Sequence, residues 1–230
     1  MLPVTILAGG LATRLRPLTE TIPKALVEIN GEPFLAHQLR LLERGGVDRV
    51  VLCVGYRGEQ IREYAGDGSA FGLRVAYSFD GPRLRGTAGA VRLARPLLGE
   101  QFFVLYGDSY LPCDYAAVEQ AFLASRKLAL MAVFPNRGLW DRSNVEFVNG
   151  AITAYDKVNR TAAMQHIDYG LGVFRSQAFD LVEEDQPMDL AVLYQQLLRC
   201  RELAAYEVPT RFYEIGSVEG IRELEGFLAR

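Results

Sequence analysis

The chain has 230 residues, 50% of them hydrophobic and 23% charged, with a formal net charge of −3. That length suits one large α/β domain or two small ones, and the apolar half is enough to bury a sizeable core. A slightly acidic chain with no long basic run lacks the electrostatic footprint of a nucleic-acid binder, so any positive charge that holds phosphate must be local.

Taken in chain order, apolar runs alternate with helical patterns. Residues 3–8 read as a buried strand, closed by Gly9-Gly10. Residues 33–44 read as a helix with Leu35, Leu39 and Leu42 on one face, stopped by Gly45-Gly46. Strands are expected at 49–54, 73–78, 102–106 and 128–134, and helices at 59–64, 87–98 and 115–126, with Pro96 bending or ending the second of these helices. This βαβα repetition, with strands apolar throughout, indicates a mostly parallel sheet covered on both faces.

After Phe134 the pattern changes. Residues 144–148 and 151–157 flank Asn149-Gly150, the strongest short-range hairpin signal. A strand at 167–174, a helix at 190–199, strand-like runs at 204–208 and 211–215, and a last helix at 217–228 with Ser217 as N-cap complete the chain. No Pro- or Ser-rich linker separates the halves and no repeat is visible. The expected fold is a Rossmann-like three-layer α/β sandwich with a mixed, mostly parallel sheet. It forms a single domain of two lobes, one over about 1–135 and a smaller one over about 136–230, with a cleft between them.

Three cysteines, Cys53, Cys113 and Cys200, cannot all pair and lack metal-ligand spacing. Cys53, inside the apolar run 50–54, reads as a small buried hydrophobe, and a reducing cytoplasm fits. No apolar stretch reaches the roughly 20 residues that cross a bilayer, and the N-terminus lacks a secretory-signal pattern.

The richest segment is Leu7-Ala8-Gly9-Gly10-Leu11-Ala12-Thr13-Arg14-Leu15-Arg16, followed by Pro23-Lys24-Ala25-Leu26. Paired glycines after a strand let backbone approach a ligand, and successive N–H groups there form an anion-binding concavity. Arg14, Arg16 and Lys24 add positive charge. Neither a dinucleotide fingerprint nor a Walker A loop is present. Asp108, in Tyr106-Gly107-Asp108, sits where a strand ends, the place where open α/β sheets bind ligands and where a carboxylate can hold Mg²⁺ beside substrate phosphates.

With Gly9-Gly10 through Thr19 and Pro23-Lys24-Ala25-Leu26, the chain resembles the sugar-phosphate nucleotidyltransferases, enzymes of EC 2.7.7 type that make nucleotide sugars, and its short single-domain members in particular. The resemblance implies that Leu7, Ala8, Gly9, Gly10, Thr13 and Arg14 hold a nucleoside triphosphate, that Lys24 contacts phosphate at the reaction centre, and that Arg14, Lys24 and Asp108 are catalytic. It places Gly86 and Thr87 near base and ribose, and Mg²⁺ on Asp108 and Glu214. It assigns Asn144, Asp156, Lys157, Asp168 and Gly170, with Lys24, to the sugar 1-phosphate. Ala12, Asp156 and Glu214 stand where glycine, glutamate and aspartate are usual. The expected partners are the two substrates, with neither nucleic acid nor membrane, and a homo-oligomer stays open. Three other readings also stay open: a glycosyltransferase, disfavoured by the lack of Asp-x-Asp; a cytidylyltransferase for a non-sugar phosphate or phosphonate; and a non-catalytic nucleotide-sugar-binding subunit.

Overall fold

The structure is a computed structural model. It describes the chain except residues 11–12, 16, 82–84 and 184–185, and the backbone alone at residue 14. Leu11, Ala12 and Arg16 therefore lie outside the described residues, as does the Arg14 side chain.

The elements in order are β1 (Val4–Leu7), β2 (Glu28–Ile29), β3 (Glu32–Pro33), α1 (Phe34–Arg44), β4 (Arg49–Val54), α2 (Gly58–Ala65), β5 (Arg74–Phe79), α3 (Gly86–Leu98), β6 (Gln101–Tyr106), β7 (Ser109–Tyr110), α4 (Tyr115–Ser125), β8 (Ala129–Phe134), β9 (Val145–Val148), β10 (Ala151–Tyr155), β11 (Ile167–Arg175), α5 (Leu190–Arg199), β12 (Leu203–Glu207), β13 (Tyr213–Glu214) and α6 (Val218–Leu228). Seven strands form the central sheet in the order β12-β8-β11-β6-β1-β4-β5. All run parallel except β11, which lies antiparallel between β6 and β8. The sheet is thus mixed and mostly parallel, as the apolar strands indicate, and its second-half strands are interleaved with the first.

Burial on both faces explains why these strands carry no polar alternation. In β4, Val50, Leu52 and Val54 pack with α1 residues Leu35, Leu39 and Leu42, whereas Val51 and Cys53 pack with α3 residues Ala88, Val91 and Ala94. Cys53 is 1% exposed, the buried role its apolar run indicates. A third cluster of Leu15, Val27, Ile29, Phe34, Tyr110, Ile215, Ile221 and Leu224 fastens α6 to the chain's own N-terminal region. The Ser217 hydroxyl accepts from the Gly220 N–H at 3.0 Å and caps α6.

Pro96 lies inside α3, which runs on to Leu98, the expected end, and is not terminated by the proline. Two local features depart from the sequence expectation. The 211–215 run narrows to a two-residue strand. The β2–β3 hairpin is unanticipated, although Asn30 and Gly31 (φ 51° and 83°) repeat the turn chemistry of Asn149 and Gly150 (φ 50° and 81°). Among the described residues, no helix is long and apolar enough to cross a membrane.

Candidate functional site

The strand order reverses between β1 and β6, and a crevice opens beyond the carboxyl ends of the strands at that point. A cavity of about 480 Å³ fills it. Its lining includes nine residues singled out by sequence: Leu7, Ala8, Gly9, Gly10, Thr13, Lys24, Gly86, Thr87 and Asp108. It also includes Tyr106, from the Tyr106-Gly107-Asp108 motif, and Asp80, Arg85 and Asp189, which the motifs did not indicate.

Backbone packing holds the floor in place. Ala8 N–H donates to the Cys53 carbonyl at 2.8 Å and Gly107 N–H to the Leu7 carbonyl at 3.1 Å. A β-carbon on Gly107 would overlap that Leu7 carbonyl, so only glycine lets the turn after β6 close over β1 and present Asp108. Gly86, at φ +69°, opens α3 against Met188; a β-carbon there would meet the Met188 oxygen at 2.5 Å. The same Met188 carbonyl accepts from Ala88 N–H at 2.9 Å, and the Thr87 hydroxyl accepts from Leu190 N–H at 2.6 Å. These bonds fix α3 to the start of α5 at one wall of the cavity.

At its centre Lys24, in the single turn Lys24–Leu26 after Pro23, places Nζ 2.6 Å from Asp108 Oδ2. The side chains are 17% and 32% exposed, so ligand can reach both. Asp108 does not cap the next helix; Asp114 does, through Ala117 N–H. The short β7–β13 ladder sets Glu214 opposite Ser109, and Ile215 N–H donates to the Asp108 carbonyl at 2.9 Å. The two carboxylates expected to share a metal thus come from adjacent strands. Glu214 is exposed by surface area but stands in a second cavity, of about 420 Å³, with Asp141 and Gly216 on its walls. Crowding by protein there, and then the charges of Asp108 and Asp141, push its carboxyl up to about 7. Among the described residues no three His, Cys, Asp or Glu side chains converge on one point. Glu214 therefore senses the Asp108 charge across the β7–β13 ladder, with burial the larger cause of its raised pKa.

A separate group borders Tyr106. Asp168, its side chain 2% exposed, takes the Tyr155 hydroxyl at 3.0 Å, Gly170 N–H at 3.1 Å and Lys157 Nζ at 3.4 Å. Lys157 Nζ also lies 3.4 Å from the Tyr106 hydroxyl and 4.9 Å from the centre of its ring. Burial opposes its charged form, but Asp168 and Tyr106 outweigh this and raise its pKa. The pairing of β11 with β8 shifts register between Asp168 and Gly172; Gly170, at φ +88°, lies within that irregularity and faces Ser109 and Tyr106. Asn144 is buried, and its side-chain oxygen accepts from Asp168 N–H at 2.9 Å. Asp156 is half-buried and accepts from Val158 and Asn159 N–H at 2.7 and 2.8 Å, stabilising its own turn. Of the residues assigned to the sugar phosphate, Lys157, Asp168, Gly170 and Asn144 are thus brought together beside Tyr106, Lys24 stands at the Asp108 end, and the Asp156 carboxylate is engaged by its own turn.

The family model for nucleotidyl transferases matches residues 4–138. N-acetylmuramate alpha-1-phosphate uridylyltransferase of Neisseria meningitidis is 30% identical over 96% of this chain and 95% of its own length. Mannose-1-phosphate guanylyltransferase catalytic subunit beta of Danio rerio is 45% identical, but over 48% of this chain and 31% of its own length. In fold, the inositol-1-phosphate CTP transferase from T. maritima superposes with TM-score 0.82 at 22% identity, covering 100% of this chain and 95% of that one.

Proposed function

We propose, for a chain that belongs to the nucleotidyl transferase family, that its reaction joins a nucleoside triphosphate to a sugar 1-phosphate. The products are a nucleoside diphosphate sugar and pyrophosphate, for cell-surface glycan precursors. The observation that carries this reading is the Lys24–Asp108 pair, set at the strand ends in a cavity floored by Gly9 and Gly10.

Such a transfer needs no protein nucleophile. A phosphate monoester has its second pKa near ~6 and is largely ionised at neutral pH. Its oxygen attacks the α-phosphorus, the bond to the bridging oxygen breaks, and pyrophosphate leaves opposite the attacking atom. The obstacle is repulsion between two anions, so the protein's task is positioning and charge neutralisation. Lys24 faces the phosphates, Arg14 follows the glycine loop, and Lys157 supplies the cation for the acceptor phosphate while Asp168, Asn144 and Tyr155 hold it in place. Asp108 and Glu214 would hold Mg²⁺, which supplies neutralising charge on the nucleotide phosphates when bound. The three free cysteines suit the reducing setting of a cytoplasmic enzyme.

The test is pyrophosphate release with Mg²⁺, crossing the four ribonucleoside triphosphates with a panel of sugar 1-phosphates. Release that needs both substrates and collapses in Lys24→Ala and Asp108→Ala is expected. A folded chain that binds nucleotide yet releases no pyrophosphate with any pair overturns the catalytic reading.

A further inference from the structure

The turn that carries Asp108 is tied to α1 by one buried side chain. β6 pairs with β1 as far as Tyr106, opposite Leu7, but its pairing with β11 ends one residue earlier, at Leu105. The chain then turns through Gly107 and Asp108 and enters β7 at Ser109. Gln38, on α1, meets both ends of that turn. Its Nε2 donates to the Ser109 carbonyl at 2.8 Å and to the Tyr106 carbonyl at 3.4 Å. The Asp108 carbonyl between them is taken by Ile215 N–H at 2.9 Å.

Packing alone does not account for a glutamine here. Gln38 is 2% exposed, and the other buried residues of α1, Phe34, Leu35, Ala36, Leu39 and Leu42, are all apolar. Its Oε1 is sealed from solvent with no hydrogen-bond partner among the described residues. A buried acceptor left without a donor is destabilising, and a methionine or leucine would fill similar space without that cost. Turning the amide over gives no relief, because Oε1 would then face two carbonyl oxygens, which donate nothing. The fold thus tolerates an orphaned acceptor where it sets an NH₂ group against the Asp108 turn.

We infer that Gln38 is a positioning residue for the transfer reaction: by clamping Tyr106 and Ser109 it fixes the direction in which the Asp108 carboxylate leaves the strand. Gln38 lines neither cavity and acts only through Asp108. A displacement of about 1 Å at a reaction centre can cost ~100-fold in rate even when its origin is remote. Groups that hold a metal-binding carboxylate in place are worth about 10- to 100-fold in metal affinity or activity. The inference rests on the transfer reading, which makes Asp108 the carboxylate that must be held.

The test is pyrophosphate release by Gln38→Met and Gln38→Glu, together with Mn²⁺ binding to the nucleotide-free chain, read from the electron spin resonance of the free ion. Mn²⁺ suits carboxylate ligands as Mg²⁺ does, and Asp108→Ala shows which of its binding belongs to the site. Methionine keeps the bulk and removes the donors. It should lower kcat roughly 10- to 100-fold and weaken Mn²⁺ by a similar factor. KM for sugar 1-phosphate should stay the same, because Lys157 stands on a separate network. Glutamate offers at most one donor, from a protonated carboxyl, and should restore part of kcat. A merely structural glutamine would cost Gln38→Met melting temperature while the folded variant kept its kcat and Mn²⁺ affinity. That result overturns the inference, as does a loss carried entirely by KM. Mn²⁺ bound equally well by Asp108→Ala and the unaltered chain removes the role of Asp108 and the inference with it. If the unaltered chain releases no pyrophosphate with any substrate pair, the transfer reading fails and the Mn²⁺ comparison alone decides Gln38. Where Gln38→Met does not fold, Gln38→Glu decides, and a kcat equal to that of the unaltered chain overturns the inference.

Discussion

Lys24 and Asp108 meet at 2.6 Å with both side chains part-exposed, whereas Lys157 meets Asp168 at 3.4 Å with the aspartate 2% exposed. The first pair has little else to hold it: among the described residues, the one further hydrogen bond of the Asp108 carboxylate comes from Ser109 Oγ at 3.5 Å. The second is tied on every side, since Asp168 also receives Tyr155 and Gly170 while its backbone N–H is taken by Asn144. A part-exposed ion pair contributes about 0–1 kcal/mol and can exchange partners readily. A buried, fully bonded carboxylate is an anchor whose disruption destabilises the fold. The same two residue types thus stand in two settings: on the proposed reaction one pair is open to reorganisation by incoming phosphates, while the other holds a lysine against a buried carboxylate.

The largest effect that would test this contrast is on the open pair. Lys24→Ala and Asp108→Ala should each lower kcat/KM by roughly 10²- to 10³-fold, with the melting temperature changed little. A large fall in melting temperature for either would mean the pair is structural and would erase the distinction. Next, Lys157→Ala should raise the KM for sugar 1-phosphate by about 10- to 100-fold, the worth of a charge-assisted contact, while nucleotide affinity measured by calorimetry stays the same. Equal losses for both substrates would mean that the two pairs act on one ligand.

Asp168→Asn should show the opposite balance to the open pair. We expect about 1–3 kcal/mol of lost stability in denaturant unfolding, because a buried network loses its negative charge and one of its two acceptor oxygens. Unchanged stability would show that the network is not anchoring Lys157.

The smallest effect concerns the acid beside the open pair. Glu214 has its carboxyl raised to about 7 from the ordinary 4.5. Between those values the folded chain keeps a proton that the unfolded chain has lost. The favourable contribution is therefore full below about 4.5 and is lost as pH rises through about 7. Glu214→Gln should raise the melting temperature at pH 8 and leave it nearly unchanged at pH 4. Adding Mg²⁺ at pH 8 should narrow that difference by stabilising the unaltered chain more than the variant. A difference independent of pH would show that Glu214 is not crowded by the other acids.

Much of the architecture was legible along the chain because it depends on local rules. Apolar strands buried on both faces announced a parallel sheet, Asn149-Gly150 announced β9–β10, and Ser217 announced α6. The β2–β3 hairpin was overlooked in spite of Asn30-Gly31 because its strands are two residues each, too short to show an alternation. Of the site, the glycine loop, Lys24 and Asp108 were readable from their motif. Asp80 was not, although it ends a parallel strand as Asp108 nearly does, because no neighbouring residue marks it. Asp156 and Asp168 were both assigned to the sugar 1-phosphate; the turn at 158–159 holds one, and the other is buried at the β11 irregularity.

By itself, then, the sequence determined most of the strands and helices, the α/β class and the glycine loop after β1, since periodicity and glycine placement act within a few residues. Tertiary structure decided the rest: β11 running antiparallel between β6 and β8, Glu214 brought opposite Ser109, Lys157 drawn onto Asp168 and Tyr106, and Asp80 turned over Gly9 and Gly55. These juxtapositions join segments far apart in the chain, from 11 residues for Lys157 and Asp168 to 105 for Ser109 and Glu214. Strand pairing and packing on both faces of the sheet select them, and neither leaves a mark in local sequence pattern.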